Sequence, residues 1–122
     1  MNAAIAKARS LLPDFWQAYD KHPHGESDFA LKVKITDKDD VEHFWVINLE
    51  RKDGKVYGTI NNDPDLVHNV KPGDRITIDD ADISDWLYMR DGKMVGNYTL
   101  RALFKKMPAD DVKKYKQMLA EP

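Results

Sequence analysis

The sequence contains no cysteine, and this absence excludes several kinds of protein at once. Without cysteine there is no disulfide framework, no thiolate zinc site and no cysteine nucleophile, and the composition is consistent with a reducing compartment. The sequence also has no excess of basic residues, since it contains 19 Lys and Arg and 21 Asp and Glu, for a net charge of −2. Nucleic-acid-binding domains usually show a basic excess, so we expect no nucleic-acid partner.

Long apolar runs are also absent. No stretch approaches the roughly 20 apolar residues that a membrane helix requires, and the opening MNAAIAKARSLL lacks the continuous apolar segment of a signal peptide. We therefore expect a cytoplasmic protein with no membrane partner. The length of 122 residues favours a single domain, 1–122, with its own core. Within it we expect an N-terminal helical segment at 1–20, a sheet at 29–98 and C-terminal helices at 99–119.

Both ends of the chain show helical spacing of apolar residues. The pattern runs through residues 3–20, but Pro13 interrupts it, and proline is tolerated only in a first turn, so we expect two short helices or a kink. Near the other end, Thr99 is the predicted cap of one helix and Pro108 the predicted start of another. The apolar sides of these two helices are predicted to be Leu100, Leu103, Phe104 and Met107, and Val112, Tyr115, Met118 and Leu119.

The middle of the chain shows the two-residue alternation of β-strands. FALKVKIT at 29–36 alternates apolar and polar residues, which predicts a strand with one wet face. HFWVINLE at 43–50 is apolar on both faces, which favours a central strand. Asp63 followed by Pro64 predicts the start of a short helix. We expect a further strand at residues 75–78.

Two similar hexapeptides, DGKVYG at 53–58 and DGKMVG at 91–96, predict tight hairpins. An Asp-Gly pair favours a type I′ turn, because both central residues of that turn take positive φ. Counting back from two-residue loops pairs Leu49 with Gly58, Ile47 with Ile60, and Leu87 with Gly96. Each glycine would leave a gap that a bulky neighbour can fill.

These elements together predict an α+β fold: a curved antiparallel sheet of five or six strands with the N- and C-terminal helices packed on it. A small SH3-like or partly open barrel with added helices is the alternative.

The histidines do not form a recognisable metal motif. His22 and His24 have chelating spacing, but they lie in a linker of proline and glycine with no third ligand at a telling distance. His68 is expected on a surface turn. We therefore expect no metal site and no cofactor.

The aromatic residues are the stronger functional signal, with three tryptophans in 122 residues. Large rings usually pack in the core, which is the first interpretation of Trp86 and Tyr88. The second is a groove lined by Trp86, Tyr88 and Asn97 that is open to a peptide or small ligand. The leading hypothesis is a non-catalytic binding or protein-interaction domain whose partner is a protein, a peptide or a small anionic ligand.

Arg101 extends this hypothesis towards an anionic ligand. With Thr99 as the cap, Arg101 falls in the first turn of a helix, where free N–H groups favour an anion. Arg101 and the Thr99 hydroxyl would then bind a carboxylate or phosphate of a ligand. The favoured interpretation, however, is an ion pair from Arg101 to Asp85 or Glu42 that fastens the helix to the sheet, with the anion site as its functional alternative.

Catalysis is the rival hypothesis. A hydrolase or transferase would need its polar residues to converge in one pocket. The residues in question are Glu42, His43, Asp85 and Arg101. Ser84 has no marked partner in the sequence.

Several motifs in order resemble the bacterial DUF2314 family, also called YegJ-like. They are EHFWV at 42–46, GTINNDP at 58–64, KPGD at 71–74, ISDWLY at 83–88 and GKMVGNYTLR at 92–101, and the N-terminal AKARSLLPDFW and FALKV fit as well. The resemblance covers roughly residues 3–104 and leaves the final helix outside. It implies a small bacterial domain, found alone or beside other modules, and no activity or ligand, because the family is uncharacterised.

Overall fold

The structure is a computed structural model that describes residues 2–22 and 25–120. The helices are α1 (Asn2–Ser10), α2 (Leu12–Lys21), α3 (Tyr98–Ala102) and α4 (Ala109–Met118). The strands are β1 (Ser27–Asp37), β2 (Asp40–Lys52), β3 (Lys55–Ile60), β4 (Arg75–Ile78), β5 (Ile83–Arg90) and β6 (Lys93–Gly96). They form an antiparallel sheet in the order β4–β3–β2–β1–β5–β6, which is not closed. The predicted α+β class is confirmed.

The described residues form two compact units. The helical unit comprises the described residues up to Phe29 together with those from Asp85 onwards. The hairpin unit comprises Ala30–Ser84. None of the helices in the described ranges has the length and apolar content needed to cross a lipid bilayer.

The helical unit has a core of aromatic rings that contact one another. As predicted, Pro13 divides the N-terminal segment, because α1 ends at Ser10 and α2 carries the proline in its first turn. Phe15 of α2 is fully buried and lies 5.5 Å from the ring of Trp86, which stacks on Tyr88 at 5.8 Å. The indole N–H of Trp86 donates to the carbonyl of Ala8 at 2.9 Å, so its polar end is satisfied inside the core.

The β5–β6 hairpin follows the predicted register. Asp91 and Gly92 both have positive φ, and Leu87 lies opposite Gly96. The gap at Gly96 is filled by the ring of Trp86, since a Cβ built on this glycine would lie 2.7 Å from a ring carbon. The register predicted from the Asp91–Gly92 turn is correct because this turn has the standard two-residue geometry.

The C-terminal helices depart from the prediction in two respects. Thr99 does not cap α3 but lies inside it, and Asn97, with a φ of 54°, is the residue before the helix. The helix then stops at Ala102 and a 3-10 turn follows at Phe104–Lys106, which removes the continuous stripe. Leu103, just after α3, is 37% exposed, and Met118, the last residue of α4, is 47% exposed, although both were predicted to be buried.

The hairpin unit consists of β2, β3, β4 and most of β1. Its most buried side chains, Leu31, Phe44, Val46, Ile60 and Val67, are at most 1% exposed. The Asp53–Gly54 turn has the predicted positive φ values, and Lys52 faces Lys55.

Further along the β2–β3 hairpin, the predicted register is wrong. Ile60 lies opposite Val46, and Ile47 lies opposite Thr59. The register shifts between Ile47 and Glu50, where Asn48 has a φ of 52°. An extra residue on one strand is a β-bulge, and asparagine tolerates this left-handed backbone. The alternation of apolar residues does not reveal such a bulge.

Candidate functional site

Glu42, one of the four residues considered for catalysis, anchors a loop. Its carboxylate accepts hydrogen bonds from the backbone N–H groups of Asp65 at 2.8 Å, Leu66 at 2.8 Å and Val67 at 3.2 Å. The bonds from Leu66 and Asp65 are the main reason that the pKa of Glu42 is lowered. The helix predicted at Asp63 is absent, because the N–H groups of this segment turn to the carboxylate.

Asp85 holds the start of α3 in the same way. Its carboxylate is fully buried and accepts from the N–H of Trp86 at 2.8 Å, of Tyr98 at 3.1 Å and of Thr99 at 2.9 Å. The hydroxyl of Thr99 adds a fourth bond at 2.6 Å. The chain itself therefore supplies the anion expected at this helix end, and it comes from β5.

Arg101 does not make the contact with Asp85 that the sequence suggested. Its Nε donates to the carbonyl of Gly96 at 2.8 Å, and a terminal nitrogen donates to the carbonyl of Ala120 at 3.1 Å. Its guanidinium also lies 5.8 Å from the ring centre of Tyr98. These contacts join α3 to the end of β6 and to the segment after α4.

His43 has a partner that sequence reasoning missed. Its Nδ1 lies 3.0 Å from the hydroxyl oxygen of Ser84, and that hydroxyl donates to the carbonyl of Lys32 at 3.3 Å. A carbonyl can only accept, so we assign the serine proton to it and the Nδ1 proton to the imidazole. In this arrangement the histidine donates to the serine, whereas a base that activates a nucleophile must accept from it. The two residues are 41 positions apart in sequence, and no short motif links them.

The surroundings of His43 lead to a pH prediction. Partial burial of the ring, Lys32 and Lys34 together lower its pKa from the ordinary 6.5. The unfolded chain therefore binds this proton at a higher pH than the folded protein, and stability rises with pH wherever that is so. We expect the contribution of His43 to be complete above pH 6.5 and to decline as the pH falls below it.

An NMR titration of the imidazole measures this directly. We expect His43 to titrate below 6.5 in the native protein, and Lys34→Gln to raise its pKa. A native His43 that titrates at or above the ordinary value would contradict the structure around it.

The four residues considered for catalysis thus have separate local partners. Glu42 binds loop amides, His43 binds Ser84, Asp85 binds the start of α3, and Arg101 binds backbone carbonyls. Within the helical unit Asp85 and Arg101 bind different groups, and within the hairpin unit Glu42 and His43 do so as well. The catalytic hypothesis for these four residues stays a hypothesis.

The described residues also contain no group of three or more His, Asp or Glu side chains that could hold a metal ion. His22 lies at the end of α2, where Nδ1 is 3.0 Å from the carbonyl of Ala18. His24 lies outside the described residues. The absence of a metal site stays a prediction.

The residues of the predicted aromatic groove lie in the core. Trp86 is 3% and Tyr88 is 6% exposed. Asn97 is half-buried, and its amide lies 3.3 Å from the sulfur of Met94. This burial agrees with the core interpretation, and a ligand could reach the rings only if neighbouring side chains moved. A binding role for Trp86, Tyr88, Asn97, Thr99 and Arg101 stays a prediction.

An open groove lies elsewhere in the helical unit, between α4 and the start of β6. It has a volume of about 500 Å3. Positions 109, 112, 113, 116 and 117 of α4 line it, and their spacing of three and four residues puts them on one helix face. Across from them lies Lys93, which follows the Asp91–Gly92 turn. We call this feature the basic groove; it is lined by Lys93, Ala109, Val112, Lys113, Lys116 and Gln117.

Within the described residues, the lysines of the basic groove have no ion-pair partner. No carboxylate of the described residues lies within ion-pair distance of Lys93, Lys113 or Lys116. The sequence does contain a signal for it, since the stretch 101–116 holds six Lys or Arg and only two Asp. The net charge of the whole chain does not reveal this local excess of basic residues. In addition, lysines in the last turns of a helix are expected from the helix dipole alone, so they do not by themselves indicate a binding site.

Comparison with known proteins places the chain in a family. The family model "Uncharacterized protein conserved in bacteria (DUF2314)" matches residues 1–120. This is more than the predicted 3–104 and includes α4 with the basic groove. No solved structure matches the chain.

Two curated relatives extend the comparison. The "Uncharacterized protein YegJ" of Escherichia coli strain K12 is 37% identical over 111 residues, which are 91% of this chain and 71% of the relative. A "Putative ankyrin repeat protein" of Neisseria meningitidis serogroup B is 28% identical over 120 residues, covering 91% of this chain and 47% of the relative. Because the family model matches residues 1–120, which is nearly the whole chain, this chain belongs to the DUF2314 family.

Proposed function

We propose that this protein is a non-catalytic binding domain whose basic groove takes an acidic segment of a partner protein. The observation that carries the proposal is a set of three lysines, Lys93, Lys113 and Lys116, around an opening of about 500 Å3, with no ion-pair partner in the described part of the chain. Ligand sites commonly have volumes of roughly 300–1,000 Å3. The opening is therefore large enough for a few residues of a peptide.

The lining of the groove favours a peptide over a bare anion. Ala109 and Val112 supply apolar surface between the ammonium groups. A segment with an apolar residue flanked by Asp or Glu would match both features. The net charge of −2 weighs against a long polyanion such as nucleic acid, since the rest of the surface would repel it.

The expected affinity is modest and depends on salt. An ion pair between exposed groups contributes only about 0.2–1 kcal/mol. Three such pairs give electrostatic steering and orientation more than strength. Binding should weaken as ionic strength rises, because exposed charges are screened within about 10 Å at 0.1 M salt.

The longer Neisseria relative is consistent with this role. It is named a putative ankyrin repeat protein, and this chain spans 47% of it. Stacked repeats of that kind form extended binding surfaces.

The test uses the full chain and the peptide acetyl-Glu-Asp-Leu-Glu-Asp-Leu-Glu-amide, with the dissociation constant measured by calorimetry at low salt. The groove variant changes Lys93, Lys113 and Lys116 to Glu. The control variant makes the same change in net charge at Lys105, Lys106 and Lys114, which are exposed outside the groove. We expect the groove variant to bind about tenfold more weakly or worse, and the control to change much less.

Three results would overturn the proposal. One is no binding by the native protein at millimolar peptide. Another is an equal loss in both variants, which would mean attraction without a site. The third is tighter binding of a single-stranded oligonucleotide than of the peptide, which would show that the class of partner is wrong.

A further inference from the structure

A second opening lies in the hairpin unit, between two strands that are not neighbours in the sheet. It has a volume of about 330 Å3 and is lined by residues 33–36 of β1 and 76–77 of β4. In the sheet order, β2 and β3 separate these strands. The two strands can line one cavity only because the sheet twists and curls. We call this opening the strand slot.

The strand slot runs along strand edges, not over a sheet face. Successive side chains of a strand point to opposite faces. A cavity over one face would therefore contact every second residue. The strand slot contacts four consecutive residues of β1 and two of β4, so it faces the backbones.

The hydrogen bonds of β3 show which groups β4 presents outwards. The N–H of Ile60 donates to the carbonyl of Asp74 at 2.9 Å. Bonded and non-bonded pairs alternate along an antiparallel ladder, so the pairs Gly58–Ile76 and Val56–Ile78 are the bonded ones. The N–H and C=O groups of Thr77 therefore point away from β3. Because β4 is the last strand of the sheet, no strand of the sheet accepts or donates there.

We infer that the strand slot takes an extended strand of a partner polypeptide through main-chain hydrogen bonds to the outer edge of β4. An unpaired strand edge is a template for pairing with another chain, and strand addition is a common way to bind peptides. The opening beside Thr77 provides the space for it. This inference goes beyond the proposed function, since it concerns a different unit and a different chemistry.

The lining predicts the side chains of the incoming strand. Ile35 and Ile76, which are half-buried, favour apolar residues at alternate positions of the incoming strand. Asp79 and Asp82 also line the strand slot, and Lys34 is the one basic residue among its lining residues. The partner strand should therefore carry Lys or Arg near an end, the opposite of the segment expected in the basic groove.

The experiment uses the 15N-labelled full chain and the probe acetyl-Lys-Val-Thr-Val-Thr-Val-Lys-amide. We expect the amide signal of Thr77 to shift and its hydrogen exchange to slow as the probe binds. The same peptide with proline in place of its central valine should lose these effects, because proline removes a donor and disfavours the strand. Replacing its two lysines by glutamates should weaken binding about threefold to tenfold.

Two variants of the protein complete the test. Thr77→Pro removes the outward N–H, and proline is tolerated on an edge strand at a position that faces away from the sheet, so the fold should persist while probe binding is lost. Changing Asp79 and Asp82 to Asn keeps a capping side chain at position 79. It should weaken binding of the lysine probe but not of the glutamate probe. No change at Thr77 with millimolar probe, or equal binding of the proline peptide, would overturn the inference.

Discussion

Replacing Asp85 with alanine is expected to lower the free energy of unfolding by roughly 3–5 kcal/mol, enough to unfold a domain of marginal stability. The fully buried carboxylate accepts four hydrogen bonds, three from backbone N–H groups and one from the hydroxyl of Thr99. Alanine would leave those donors buried without an acceptor, and each such loss costs about 1–3 kcal/mol before relaxation. It would also remove the anion at the start of α3.

Denaturant unfolding followed by tryptophan fluorescence measures this loss. Asp85→Asn should lower the free energy of unfolding less than Asp85→Ala, because asparagine keeps one acceptor oxygen. It should still be destabilising, because its NH2 group would face N–H donors. The exposed Asp39, in the turn between β1 and β2, is the matched control, and Asp39→Ala should stay within about 0.5 kcal/mol. If Asp85→Ala were as stable as the control, the hydrogen bonds to α3 would be wrong.

Gly96→Val is the second substitution with a large expected effect, a loss of roughly 2–6 kcal/mol. Two separate costs add. The φ of +90° is strained for any residue with a Cβ, and most of all for a branched one. A Cβ would also lie 2.5 Å from the carbonyl oxygen and 2.7 Å from the ring of Trp86.

Gly92→Val separates the two costs. Gly92 has a φ of +76° but nothing within 4 Å of its would-be Cβ, so the substitution brings strain without collision. We expect it to lose about 1–3 kcal/mol, clearly less than Gly96→Val in the same unfolding experiment. Equal losses would show that the Trp86 ring does not fill the gap at Gly96.

These two residues illustrate what could be predicted from the sequence. The Asp91–Gly92 turn has a standard geometry, so counting from it places Gly96 opposite Leu87 and Asp85 near Tyr98. The same count fails at Ile47 because the backbone of Asn48 adds a bulge that no periodicity reports. Local rules succeed where the local geometry is standard.

The candidate site was harder to predict, for a physical reason. Thr99 looks like a helix cap on its own, but Asp85, 14 residues earlier, supplies the acceptor. Glu42 likewise replaces a predicted helix by binding amides more than 20 residues away. The folded sheet determines where these carboxylates lie. Their hydrogen-bond partners are distant in sequence, so local sequence patterns do not predict them. The basic groove depends in the same way on which face of α4 lies beside Lys93.

We expect the polar residues Glu42, His43 and Asp85 to stabilise the fold, while binding takes place at the basic groove. The most direct measurement is the change in 1H–15N signals of the labelled full chain as acetyl-Glu-Asp-Leu-Glu-Asp-Leu-Glu-amide is added. We expect the signals that shift to be those of Lys93 and of residues 109–117, with Glu42, His43 and Ser84 unaffected. Shifts concentrated at those three residues, with none along α4, would contradict the claim.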